Sequence, residues 1–121
     1  MADFKKLRVW QAAQALAIDT NRVVARMRGS ASATQRDQLI RAANSVPSNI
    51  VEGRAHESPR EFARYLGYSI TSVTEVEGHL LLARSLGRIT EADFTSLLSQ
   101  VEDVRKMLYG LLKKLQDDGD A

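Results

Sequence analysis

A chain of 121 residues, 44% apolar and 26% charged, is sized for one soluble domain with a core of its own. The lack of cysteine excludes disulfides and thiolate metal sites, and no run approaches the ~20 apolar residues that span a bilayer. Net charge is only +2, too small to announce a polyanionic partner, yet 12 of the 17 cations are arginine, whose planar fork suits phosphate and carboxylate.

The opening MADFKKLRVW has no apolar secretory core, so a cytoplasmic location is expected. From about residue 4 to residue 28, Val9, Ala13, Leu16, Thr20, Val23 and Met27 recur at helical spacing, flanked by Trp10, Ala17 and Val24. Asp3 reads as the N-cap of this helix and Gly29 as its C-cap, followed by a small, polar loop. A second helix is expected from Thr34, where Thr34 and Asp37 have capping-box spacing, with Leu39, Ala43, Val46 and Ile50 on one face and Gly53 as its stop. The sharpest local signal is SPRE: Ser58 to cap, Pro59 for the first helical position, Glu61 to close the box. Phe62, Leu66, Ser69, Val73, Val76, Leu80 and Ala83 then keep a heptad-like rhythm until Gly87. Thr90 and Asp93 open a fourth helix striped by Phe94, Leu97, Leu98, Val101, Val104, Leu108, Leu111, Leu112 and Leu115.

No segment alternates as a strand does. Four amphipathic helices on short loops predict an all-α, up-down-up-down antiparallel four-helix bundle over residues 1–116, with 117–121 as a frayed polar tail. Pro47 falls inside the second helix, where it removes a backbone hydrogen bond and crowds the preceding turn at a cost of ~3 kcal/mol. The apolar rhythm continues from Val46 to Ile50, so the expectation is one helix kinked at Pro47, with Ser45 and Ser48 bonding the backbone groups that the kink frees.

The stretch Gln38, Leu39, Arg41, Ala42, Ala43, Ser45, Val46, Pro47, Ser48, Asn49, Ile50, Val51, Glu52, Gly53 resembles the second helix of the family of proteins encoded in 23S ribosomal RNA intervening sequences. Leu7, Val9, Trp10, Gln11 and Ala13 are similar to that family's first helix, and Ser58, Glu61, Phe62, Arg64 and Leu66 to its third; Glu75 and Glu77 match an expected pair of acids. Thr71 and Ser72 stand where the family usually has Gly-Ser, which predicts slightly looser packing there. The resemblance covers nearly the whole chain. It implies a small bundle forming a ring-like homo-oligomer, often a pentamer. It also implies a relation to the accessory variability proteins of diversity-generating retroelements, which bind a reverse transcriptase and nucleic acid, RNA or DNA.

Enzymatic readings fail on residue supply. A di-metal site in a bundle core needs two Glu/His motifs plus further carboxylates, and Glu75 with His79 is a single pair. Neither His56 nor His79 follows an arginine at the spacing seen in helical-bundle ribonucleases, and no phosphate-binding glycine loop or serine–histidine–aspartate set is present. No catalytic group, metal or cofactor is expected. Arg41, Asn49, Glu52 and Glu77 fall on or beside inward stripes, which predicts a satisfied polar layer that fixes helix register, or else a ligand or partner site.

Trp10, Tyr65, Tyr68, Leu82 and Tyr109 exceed what the main stripes absorb, which with the resemblance predicts a homo-oligomer. In an up-down bundle, Arg22, Arg26, Arg28, Arg36, Arg84 and Arg88 gather at one end against Asp37, Glu91 and Asp93. Two readings stand for that end: a phosphate-binding surface for RNA or DNA, or arginines that complement helix C-termini.

Overall fold

The computed structural model describes residues 3–29 and 33–120. After a short 3-10 turn at Phe4–Lys6 come four α-helices, α1 at Arg8–Ala25, α2 at Ala33–Arg54, α3 at Pro59–Ser85 and α4 at Glu91–Asp120, with no strand among the described residues.

The first helix departs from its expected course. Asp3 does cap, but its carboxylate accepts from the Lys5 N–H at 3.0 Å and so closes a 3-10 turn rather than α1. Leu7 is extended, with φ −73° and ψ 123°, and α1 begins only after it. The Gln11 side chain donates to the Lys5 carbonyl at 2.9 Å and folds the turn back onto the helix. At its other end α1 stops at Ala25 with Arg26 as cap, so Gly29, at φ +92°, serves the following loop and not a C-cap. Helix α2 begins at Ala33, which places Thr34 inside the helix and corrects its capping role; residues 30–32 lie outside the described residues.

The later boundaries follow the sequence closely. Ser58 Oγ accepts from the Glu61 N–H at 3.3 Å with Pro59 in the first turn of α3. Thr90 Oγ1 accepts from the Asp93 N–H at 3.1 Å at the start of α4. Helix α3 ends in a Schellman motif: Gly87, at φ +68°, donates to the Arg84 carbonyl, and Arg88 donates to that of Ala83. Helix α4 runs on to Asp120, through most of the segment expected to be a polar tail.

The helices close a circuit in which α1 packs on α2 and α4, and α3 packs on α2 and α4. Every apolar position expected on the stripes of α1, α2 and α3 is buried, with Leu16, Leu39, Ile50, Leu66 and Leu80 all less than 2% exposed. Each such leucine or isoleucine contributes ~1.5–3 kcal/mol by leaving water. On α4 the stripe is buried from Phe94 to Leu108, while Leu98, Leu111, Leu112 and Leu115 are partly buried against it. Two buried hydroxyls are satisfied by carbonyls: Thr20 donates to Leu16 within α1, and Ser69 of α3 donates across to Val46 of α2 at 2.9 Å.

Helix α2 is continuous through Pro47, and residues 46–50 are helical. Ser45 Oγ donates to the Arg41 carbonyl at 2.7 Å and Asn49 Nδ2 to the Ser45 carbonyl at 2.9 Å. Contrary to expectation, neither serine bonds the Ala43 carbonyl that Pro47 leaves free: Ser45 bonds that of Arg41, and Ser48 is exposed with no side-chain hydrogen bond among the described residues. Gly53 stands one residue before the end of α2 at Arg54, close to the expected stop, and has a second role. It is buried, and a Cβ there would meet Tyr65 Cβ at 2.7 Å and Phe62 Cδ1 at 3.0 Å. The glycine sets how closely α2 approaches α3. Thr71 faces solvent, its hydroxyl on the Gly67 carbonyl, so the departure from Gly-Ser does not loosen the core.

Candidate functional site

The six arginines come together at the end where α1 stops and α4 begins, but most are already engaged. Arg26 makes a two-pronged contact with Asp93, Nε to Oδ2 and Nη2 to Oδ1, both 2.9 Å. That hydrogen-bonded pairing raises the guanidinium further above its ordinary value and holds the Asp93 carboxyl below the usual carboxylate range, with Thr90 adding to the effect. Arg84 pairs with Glu91 at 2.7 Å and covers the Phe94 ring; Arg22 pairs with Asp19 at 3.3 Å, one turn back. Arg36 donates to the Met27 carbonyl, and Arg88 to the Gln35 side chain at 3.4 Å. Arg28 has no side-chain partner among the described residues, though its backbone N–H donates to the Arg88 carbonyl and ties the two loops together. A small recess of about 210 Å³ lies among Arg26, Arg28, Arg88, Thr90 and Asp93.

The expected polar layer does not form. Arg41 and Glu52 are exposed, Asn49 is half-buried on its own helix, and Glu77, half-buried, pairs with Arg105 of α4. At 100° per residue, positions 41 and 52 lie on the far side of α2 from Leu39, Ala43, Val46 and Ile50, so counting faces rather than neighbours would have found this. Glu77 sits beside its stripe, and its partner Arg105 carries no local sequence signal; nor does the bond from Gln100 to Asp19 at 3.0 Å that joins α4 to α1.

The motif residues instead line two separate grooves. Pro47, Ser48 and Glu52 join Phe4, Trp10 and Ile18 around a largely apolar groove of about 750 Å³ between α1 and α2. Arg41 and Ser45 line a polar cleft between α2 and α3 with Gln38, Ala42, Ser72, Glu75 and His79. Of the apolar and aromatic residues expected in excess, Tyr68, Leu82 and Tyr109 are exposed, while Trp10 and Tyr65 are half-buried. Trp10 meets Phe4 edge-on, and Tyr65 stacks on His56 at 5.3 Å. Among the described residues no group of three or more histidines and acids is placed to hold a metal ion, and no helix is long and apolar enough to cross a membrane.

No functionally curated protein matches the chain. Among solved structures, it is similar to a protein of unknown function from the S23 ribosomal protein family of Bacteroides thetaiotaomicron, with a TM-score of 0.81 at 20% identity, covering 87% of this chain and 98% of that one. At that identity the likeness bears on the fold. The family model described as 23S rRNA-intervening sequence protein matches residues 5–110, which takes in α1, α2, α3 and most of α4. The chain therefore belongs to the 23S rRNA-intervening sequence protein family.

Proposed function

We propose that the chain is a non-enzymatic, homo-oligomeric scaffold, a pentamer of up-down-up-down antiparallel bundles bent at Pro47, that acts in the cytoplasm on RNA or DNA, or on a nucleic-acid enzyme such as a reverse transcriptase. The observation that carries the assembly is apolar surface left open to solvent. Leu82 and Leu86, four residues apart on α3 and its cap, are 47% and 49% exposed, and Phe4, Trp10 and Ile18 rim the open groove between α1 and α2. These surfaces belong to different helices, so burying one against the other between copies is a head-to-tail contact, which closes into a ring when the rotation permits. The bend is supported by the missing Pro47 N–H inside a continuous helix. The antiparallel order is supported by bridging pairs whose numbers run in opposite senses: 46 with 69 and 53 with 62 between α2 and α3, 26 with 93 and 19 with 100 between α1 and α4. The reverse-transcriptase arm rests on the resemblance to the accessory proteins of diversity-generating retroelements.

Sedimentation equilibrium at tens of micromolar tests the assembly. A mass several times 13.4 kDa is expected, and a lone 13.4 kDa species would end the proposal. Titration with RNA and DNA at rising salt tests the second arm. Binding should weaken steeply with salt through counterion release. It should also weaken when Arg22, Arg26 and Arg28 are changed together to Gln with helical content intact. A protein-interaction bundle with no nucleic-acid role is the second reading, favoured by the carboxylates already paired with Arg22, Arg26 and Arg84. An intact oligomer that ignores both polynucleotides would select it.

A further inference from the structure

The cleft between α2 and α3 is lined by polar side chains that include both charges. Gln38, Arg41, Ala42 and Ser45 on α2 face Ser72, Glu75 and His79 on α3 around a space of about 390 Å³. Run antiparallel from the Ser69–Val46 bond, the two helices bring Arg41 to within one residue of the level of Glu75, and Gln38 and Ser45 to within two of the levels of His79 and Ser72. Ala42 and Ser72 are buried small residues, while the longer Gln38, Arg41 and Glu75 are exposed.

The opposing charges do not meet. Neither the Arg41 guanidinium nor the Glu75 carboxylate has an ion-pair or hydrogen-bond partner among the described residues, although every acid–base pair named above lies within 4.0 Å. His79 and Gln38 likewise have no side-chain hydrogen bond among the described residues, and neither does the Ser72 hydroxyl. An anion seated here would be drawn to Arg41 and repelled by Glu75; a cation meets the reverse. A molecule carrying both charges satisfies both rims at once.

We propose that this cleft binds a small zwitterion with a carboxylate and an ammonium group, an amino-acid-type ligand. Its carboxylate takes the two parallel N–H groups of Arg41, its ammonium donates to Glu75, and its methylene chain lies over Ala42. Ser72 and His79 supply the remaining hydrogen bonds. The site is independent of nucleic-acid binding at the α1–α4 end, since it uses none of the six arginines there.

Amide-resolved NMR of the full chain tests this with glycine, β-alanine and γ-aminobutyrate, against acetate and methylammonium as the two halves of the ligand. At least one zwitterion should give saturable shifts confined to residues 38–45 and 72–79, with millimolar affinity about tenfold or more above either half. Arg41→Gln and Glu75→Gln should each weaken it about tenfold, equivalent to the loss of one charged contact. Both side chains are exposed, so circular dichroism should be unchanged in each variant. Equal affinity for acetate or methylammonium would overturn the proposal. So would shifts that survive in both variants, or no saturation below about 100 mM for any of the three.

Discussion

The seam between α2 and α3 and the arginine-bearing end between α1 and α4 hold the same chain by opposite means. At the seam, small residues let backbones approach: Gly53 leaves no room for a methyl group against Tyr65, and Ser69 reaches the Val46 carbonyl out of contact with water. At the arginine end the links are long and wet. Arg26 reaches Asp93 with 58% of its side chain exposed, and Arg84 reaches Glu91 with 50%. Packing is felt at the level of a single methylene, whereas exposed ion pairs contribute ~0–1 kcal/mol. The seam is therefore expected to carry stability, and the arginine end to be free to exchange its partners.

The largest effect should come from Gly53→Val. Its Cβ would lie under 3.0 Å from Tyr65 Cβ, which belongs to a helix and cannot swing aside. Overpacking of this kind costs ~1–3 kcal/mol, and the top of that range is expected here. Urea unfolding should show a lower midpoint at unchanged slope; an unchanged midpoint would mean that α3 is not held against α2 as described.

Ser69→Ala comes next. It removes one buried interhelical hydrogen bond, worth ~1 kcal/mol, and the loss should be read in the same unfolding assay. If the seam is the stabilising region, it should exceed the loss from Arg84→Gln at the other end.

Glycine alone does not mark the seam, and α3 contains its own control. Gly78 sits mid-helix, and a methyl group added there would meet nothing within 4 Å, so Gly78→Ala should raise stability by up to ~1 kcal/mol through helix propensity. A loss there instead would reveal a neighbour seated against that face, which measurement across a range of protein concentrations would expose.

That contrast also explains what the sequence disclosed. The stripes of all four helices were legible because burial follows a period of 3.6, and the starts of α3 and α4 because Ser58 and Thr90 act within their own turns. The close approach at Gly53 was not legible because a helix stop, which comes one residue later, calls for the same residue; only the position of Tyr65 reveals it. The break at Leu7 was hidden by apolar residues that keep helical spacing across it. At the candidate sites, the gathering of arginines followed from topology, but their engagement did not. Asp19 is one turn from Arg22 and could be counted, whereas the pairing of Asp93 with Arg26, Gln35 with Arg88 and Arg105 with Glu77 depends on which helices meet and in what register.

The smallest effect, and the one that isolates the arginine end, is the acid response of Asp93. Its folded value is held below the ordinary 3.8, first by the hydrogen bond from Arg26 and further by its charge and by Thr90, against a partial opposing effect of burial. A carboxyl that is more acidic in the folded chain than in the unfolded one stabilises the fold fully above the unfolded value. The contribution fades as pH falls through the interval down to the folded value, below which Asp93 is protonated in both states. Asp93→Asn should therefore cost about 0.5–1 kcal/mol near neutrality, where the pair and the favourable charge at the start of α4 are both lost. The difference between wild type and variant should shrink as pH falls below about 3.8 and vanish in stronger acid. High salt at neutral pH should narrow the same gap, because Arg26 is exposed to screening ions. A gap that stayed constant from neutrality into acid would show that Asp93 acts through its shape and its bond to Thr90 rather than through its charge. The arginine end would then be held as the seam is.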